Sequence, residues 1–364
     1  MNFKEEIPVL HFTGDNHEFG RQHGERLKNQ IATSYSLYKK FLFLDVPDVR
    51  LAEIGKQYLD RFFDFSEAYV AEIEGIASGA CVEPWQIALL NARNEVHHYL
   101  KGKFNHNECT AIFLPEACIL AQNWDWVKPF ENLFVIIIHE RSDGHKILQM
   151  TEPGVIGKIG FNTAGLVVCL NFLPGRNNDI GIPVHLLMRS VLDSGSIKEA
   201  KDRIQNARVA SFSNLLVGDS SCRYFDFEFY KKNKNSVIYP DQLPFHTNHY
   251  LDNKSMKTPN KSDPVEKELY EDSMIRCQQV QKILAQPQIQ TVELAKKILG
   301  DRENGSHAIC AEYKSIMGAQ IGTVCSVIMD LKKLEMHISK GNPILNKYKV
   351  IGLQQYPTSQ PDFS

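Results

Sequence analysis

Cys109 heads an apolar, β-prone run, Cys109-Thr110-Ala111-Ile112-Phe113-Leu114, and Asp125 follows in Gln122-Asn123-Trp124-Asp125-Trp126. A thiol is a strong nucleophile once it loses its proton, and a carboxylate can hold the group that takes that proton. Residues 109–114 read as one strand, Pro115-Glu116 as a turn, and 117–123 as the returning strand. A hairpin of that length carries Asp125 back beside Cys109. The pair points to nucleophilic acyl transfer with its activating groups close at hand.

The elements that must carry this hairpin change character along the chain. Up to about residue 100 the pattern is helical: Phe19, His23, Leu27, Ile31 and Tyr35 fall about four apart on one stripe. A second helix is expected over 50–78, stopping at Gly79, and a third over 83–100 with Pro84 in its first turn. The polar stretch 101–108 reads as a connector. From Cys109 onward strands dominate, with hairpins turning at Ser142-Asp143-Gly144 and Thr163-Ala164-Gly165. Two helices (about 183–193 and 196–207) interrupt them, and strands resume at 211–217 and 222–230. Helices at about 263–284 and 291–299 precede closing strands at 321–329 and 333–338. Residues 252–265 read as a loop. Periodicity alone gives an α+β class.

Four ordered blocks carry more than the hairpin: Cys-Thr-Ala-Ile-Phe at 109, Gln-Asn-Trp-Asp-Trp at 122, residues 151–171, and His246-Thr247-Asn248-His249. Together with the Gly14–Gly24 segment they resemble the isopenicillin-N acyltransferase and β-alanyl-dopamine hydrolase family, which are cysteine N-terminal nucleophile (Ntn) hydrolases. The resemblance implies an αββα sandwich of two antiparallel sheets. It also implies self-cleavage of the Glu108–Cys109 bond, dividing the chain into a helical segment 1–108 and a catalytic core 109–364. The freed α-amine, with a pKa near ~7.7–8.0, could then accept the proton of a thiol whose pKa is near ~8.5. Asp125 would orient that amine, and Asn248 would donate its side-chain NH₂ to the oxyanion. Asn171, with Thr110 and Trp124, would line the substrate or oxyanion side. Trp126 serves either to dry the site or to fill the core. His246 and His249 are expected as hydrogen-bonded structural residues. Gly154, Gly157, Gly160 and Gly165 do not match a phosphate-cradling spacing and are assigned to turns and close backbone approach.

Two positions depart from the family pattern. Glu108 stands where family precursors often carry glycine, which puts cleavage in doubt. Ala311 stands where the family commonly has arginine, so another cation or another substrate is implied. Three readings therefore stay open: an Ntn acyl-amide hydrolase or acyltransferase, a Cys-His hydrolase without self-cleavage, and a non-catalytic relative that binds a ligand or partner. The substrate expected is a small acyl amide or acyl thioester, with acyl-coenzyme A as a possible donor and no metal or organic cofactor. The cleaved segment is expected to stay bound, because its amphipathic helices each need an apolar surface.

A net charge of -2 across 364 residues gives no case for nucleic acid or an anionic membrane. No apolar run is long enough to span a bilayer. The start lacks a secretory pattern, and the final Pro-Asp-Phe-Ser is no peroxisomal address. The eight cysteines are scattered and read as buried, reduced thiols, which fits a cytoplasmic location.

Overall fold

The computed structural model describes residues 6–100, 109–175, 179–231, 234–238, 244–251, 264–316 and 318–356. Glu108, the 101–108 connector and nearly all of the 252–265 loop lie outside the described residues.

The first sheet has eight described strands in the order β1-β4-β5-β6-β7-β8-β9-β10. These are β1 (Val9–Thr13), β4 (Val135–Glu140), β5 (Lys146–Thr151), β6 (Ile159–Asn162), β7 (Leu166–Phe172), β8 (Ser213–Asp219), β9 (Tyr224–Lys231) and β10 (Lys234–Ile238). All neighbours are antiparallel except β1 and β4, which run parallel. The second sheet runs β11-β2-β3-β13-β14-β15, with β12 also paired to β13. Its strands are β2 (Thr110–Leu114), β3 (Ile119–Val127), β11 (Phe245–His246), β12 (Lys314–Ile316), β13 (Ala319–Asp330), β14 (Glu335–Lys340) and β15 (Lys349–Gly352).

Both β2 and β3 are buried along their whole length because each face is covered. Their outward side chains Ile112, Leu114, Ile119 and Ala121 pack on α8 (Pro264–Leu284) and α9 (Val292–Leu299). Their inward side chains join the main core with the first sheet. On that sheet's other side α6 (Val184–Leu192) packs on β6 and β7, followed by α7 (Ile197–Asn206). The expected two-sheet sandwich between helices is therefore present.

The N-terminal segment is less purely helical than expected. Val9–Thr13 forms β1, an edge strand of the first sheet, so this segment shares the sheet of the core. In α1 (Asn16–Phe41) the buried stripe runs through Phe19, His23, Leu27 and Ile31 but continues to Ser34 and Tyr38 rather than Tyr35. Repeated four-residue steps overshoot the 3.6-residue turn, so the inner face moves on. The helix expected over 50–78 is two, α2 (Asp48–Phe65) and α3 (Glu67–Ala80), broken at Ser66, whose backbone is extended (φ -163, ψ 110). The third is likewise two, α4 (Pro84–Asn91) and α5 (Arg93–Tyr99), interrupted at Ala92.

Gly79 is no helix stop. It lies where α3 crosses α1, and a Cβ there would come within 2.3 Å of the Arg21 carbonyl oxygen. Cys81 ends the helix instead, in the left-handed region at φ 56.

The cysteine expectation fails at three positions, the first being Cys81, which is exposed rather than buried. Cys118, in the β2–β3 turn, is bonded to Cys222, in the β8–β9 turn. Sequence spacing could not reveal this pairing, because the two turns meet only when the sheets stack. The bond removes the reduced-thiol support for a cytoplasmic location.

Candidate active site

The β2–β3 hairpin does what its length predicts. Thr110 pairs with Asn123, so Cys109 continues the register toward Trp124. Its Sγ lies 3.9 Å from the Asp125 carbonyl oxygen. Cys109 and Asp125 are both almost fully buried. Burial first, and the Asp125 carboxylate second, push the Cys109 thiol up to about 12. The Asp125 backbone bond, Arg276 and Lys158 pull the other way without overcoming them. In the uncut chain Cys109 is therefore a protonated thiol at neutral pH. Burial first pushes up Cys310, Cys325 and Tyr313, with Glu131 next for Tyr313; the Asp125 charge adds to all three, which places its carboxylate among them.

Two side chains grip the backbone of the nucleophile candidate. The carbonyl oxygen of Cys109 accepts from Asn171 Nδ2 at 2.8 Å and from Arg276 Nη1 at 2.8 Å. Asn171 sits near the end of β7 and also donates to the His246 carbonyl at 3.3 Å. Its amide hydrogens thus hold Cys109 and β11, rather than lying open as oxyanion donors.

Arg276, on α8, is the hub that sequence reasoning missed. Asp272, one turn earlier, holds its Nε at 2.9 Å. Its other nitrogens donate to Thr110 Oγ1 at 3.0 Å and Asn248 Oδ1 at 3.0 Å. A charged residue in Asp-Ser-Met-Ile-Arg-Cys-Gln-Gln reads as a solvated helix face, and only the docking of α8 on β2 turns it inward. Thr110 and Asn248 thus enter the same network as Cys109. Asn248 Nδ2 donates to the Phe172 carbonyl at 2.9 Å, and its backbone N–H to Ser273 Oγ at 2.6 Å.

The two histidines beside Asn248 are committed elsewhere. His246 Nε2 meets Glu228 at 2.9 Å and lies 3.7 Å from Asp226. Burial opposes its charge, but Asp226 and Glu228 together raise it to about 9, so it is an imidazolium. Asp226 also accepts from Asn214, which in turn accepts from the Asn171 backbone. His249 bonds to Ser273 Oγ at 2.8 Å, and burial lowers it to about 3. Neither ring contacts Cys109 Sγ.

The inner face carries a second cluster that the sequence did not announce. Lys158 Nζ lies over the Trp124 ring, 3.2 Å from its centroid, and pairs with Glu152. Glu152 is shared with Arg93 of α5 and the Tyr38 hydroxyl of α1. Trp126 Nε1 donates to the same hydroxyl at 3.1 Å, so both tryptophans are buried core residues that also wall off the site. A Cβ at Gly157 would lie 2.4 Å from the His185 carbonyl, so α6 can close on the residue beside Lys158 only because glycine stands there.

Ala311 pairs through its backbone with Thr323, at 3.0 Å to Oγ1 and 3.1 Å from the Thr323 N–H. Thr323 is opposite Asp125 in the β3–β13 register. Position 311 is therefore beside the site and carries no charge. The cations around Cys109 come instead from α8 and from the segment before β6. Among the described residues no group of three or more metal-ligating side chains is assembled, and no helix is long and apolar enough to cross a membrane.

Similarity to known proteins places the chain in a family. A protein of Emericella nidulans, the acyl-coenzyme A:6-aminopenicillanic-acid-acyltransferase 40 kDa form, is 28% identical over 356 residues, covering 92% of this chain and 93% of that protein. Among solved structures, penicillin V acylase from Agrobacterium tumefaciens aligns at 13% identity over 69% of this chain and 88% of that one, with a TM-score of 0.44. The Caenorhabditis elegans ortholog of N-acylethanolamine-hydrolyzing acid amidase aligns at 13% identity over 61% and 92%, with a TM-score of 0.42. Both structural likenesses are too slight to bear on the chemistry here. Residues 114–345, well over half of the chain, match the family model described as acyl-coenzyme A:6-aminopenicillanic acid acyl-transferase. The chain belongs to that family of acyl-transferases.

Proposed function

We propose that this protein is a self-processing cysteine enzyme that cleaves or transfers an acyl group at a small-molecule amide or thioester. The observation that carries the reading is the isolation of the Cys109 thiol. It is buried, held up at about 12, beside Asp125 and touched by neither nearby imidazole. Such a thiol needs a base supplied on the spot, and cleavage of the Glu108–Cys109 bond would free one on Cys109 itself. The proton of Sγ passes to that amine, and the thiolate attacks the acyl carbonyl. The α-ammonium returns that proton to the leaving amine or thiol, which departs, and the Cys109 acyl-enzyme gives its acyl group to water or to an amine, whose proton the α-amine takes and hands back to Sγ. Asp125 orients the amine. Asn171 and Arg276 fix the backbone of the nucleophile, and Asn248 reaches the oxyanion with an N–H that turns from Phe172 when substrate enters.

The family description makes an acyl-coenzyme A thioester a reasonable donor, acting as a substrate. The committed state of His246 and His249 speaks against a Cys-His pair. Retention of residues 6–100 after cleavage is supported by β1 in the first sheet and by the buried Tyr38 and Arg93 bonds to Glu152. As the test, purified protein is mixed with a panel of acyl-coenzyme A thioesters and N-acyl amides, and peptides are weighed. An acyl adduct on the Cys109 peptide, absent in Cys109→Ala, is expected. Turnover that survives in Cys109→Ala would overturn the reading.

A further inference from the structure

The inner-face cluster sits one strand-row from the thiol. Gln122 reaches across to the Leu170 carbonyl of β7, whereas Asn123 donates outward to Leu299 and Ile309. Alternation along β3 therefore puts Trp124 on the inner face with Gln122. Cys325 is opposite Trp124 on one side, and Cys109 continues the register on the other, so Cys109, Trp124 and Cys325 form one inward row. Lys158 lies on the central ring of that row.

The ammonium of Lys158 is 1% exposed and has one described carboxylate partner, Glu152, which it shares with Arg93. Arg93 has a second carboxylate in range, Glu95, together with His185 Nε2. Lys158 is also in electrostatic range of His185 from α6, Cys325 from β13 and Cys109, just ahead of β2, and Tyr38 of α1 bonds to the same Glu152. Burial keeps the Tyr38 hydroxyl protonated and the His185 ring neutral. Burial also lowers Lys158 to about 8, against the pull of Glu152. A half-neutralised cation thus faces two thiols, and only Cys109 stands at the head of the nucleophile strand with its Sγ 3.9 Å from the Asp125 carbonyl oxygen.

We propose that Lys158 is a charge-positioning residue for Cys109: pinned by Glu152 and the Trp124 ring, its ammonium supplies the positive charge against which the thiol ionises. The proposal rests on Cys109 being the nucleophile. At pH 7 Lys158 keeps its own proton through the reaction. The proton leaving Sγ goes to the base, and the ammonium lowers the cost of the thiolate left behind. No mobile counter-ion is needed in a site this dry.

Iodoacetamide reads this without knowledge of the substrate, because its rate follows the thiolate fraction. Wild type, Lys158→Met and Lys158→Arg are alkylated across pH 6 to 9.5, and carbamidomethyl-Cys109 is quantified by peptide mass, with exposed Cys81 as internal reference. Lys158→Met is expected to slow Cys109 about tenfold at pH 7. Lys158→Arg is expected to stay near wild type. Unfolding would expose Cys109 and speed the reaction, so slowing has the opposite sign to a lost fold. Equal slowing in both variants, or no slowing in Lys158→Met, overturns the proposal. Intact mass of the same samples separates the two claims. An uncut chain in which Lys158→Met still slows Cys109 supports the charge role while removing self-processing. A cut chain indifferent to Lys158→Met does the reverse.

Discussion

A buried thiol beside a buried carboxylate is the least favourable place for a thiolate, and that is why Cys109 needs help from named residues. Arg276 fixes its carbonyl, Lys158 faces its row, and the imidazolium of His246 anchors the strand that Asn171 grips. The His246 charge has a consequence for stability. Its folded value of about 9 is above the ordinary 6.5, so its contribution is complete below pH 6.5 and is lost as pH rises toward 9. The shift corresponds to a few kcal/mol, about 3 by linkage. Asp226, raised to about 6 by burial, adds a smaller loss between its ordinary 3.8 and pH 6. Urea unfolding at pH 6.5 and 9 should show the decline, and His246→Gln should flatten it; an unchanged slope in the variant contradicts the assignment. Arg276→Ala should cost about 3–5 kcal/mol in the same assay, because Asp272 is left buried without its cation. A loss under 1 kcal/mol would mean that Arg276 is not the hub described.

At the scale of elements, local pairing was legible and distant pairing was not. The β2–β3 hairpin, the β4–β5 and β6–β7 hairpins and α6 to α9 could be read because each is specified within one short stretch of chain. The short strands β1, β10, β12 and β15 were not, since their partners decide them. Arg276, Lys158, Glu152 and Arg93 were missed for a related reason: each looks like a surface charge until a second element covers it. Gly79 was misread because a glycine that permits a helix crossing looks like one that ends a helix. Its contact is with backbone, which cannot step aside. Gly79→Ala should therefore destabilise by about 1–3 kcal/mol, although alanine favours helix by about 1 kcal/mol. A thermal melt at or above the wild-type temperature would refute the close crossing.

Across the whole molecule, the two sheets are joined at one end by the Cys118–Cys222 bond and at the other by the site network. The bond closes a separation of 104 residues, for which chain entropy gives about 4–5 kcal/mol. Thermal unfolding of the Cys118→Ser, Cys222→Ser variant should fall by several degrees, and dithiothreitol should lower wild type to match. Equal melting with and without reductant would mean that the pair is not bonded in the purified protein. The proposed chemistry hinges on a single covalent event, cleavage of the Glu108–Cys109 bond. Intact mass with N-terminal sequencing, run on purified protein beside Cys109→Ala, tests it most directly. Two co-purifying fragments, the second beginning Cys-Thr-Ala-Ile-Phe and absent from the variant, are predicted. A single uncut chain that still turns over acyl substrates would contradict the account.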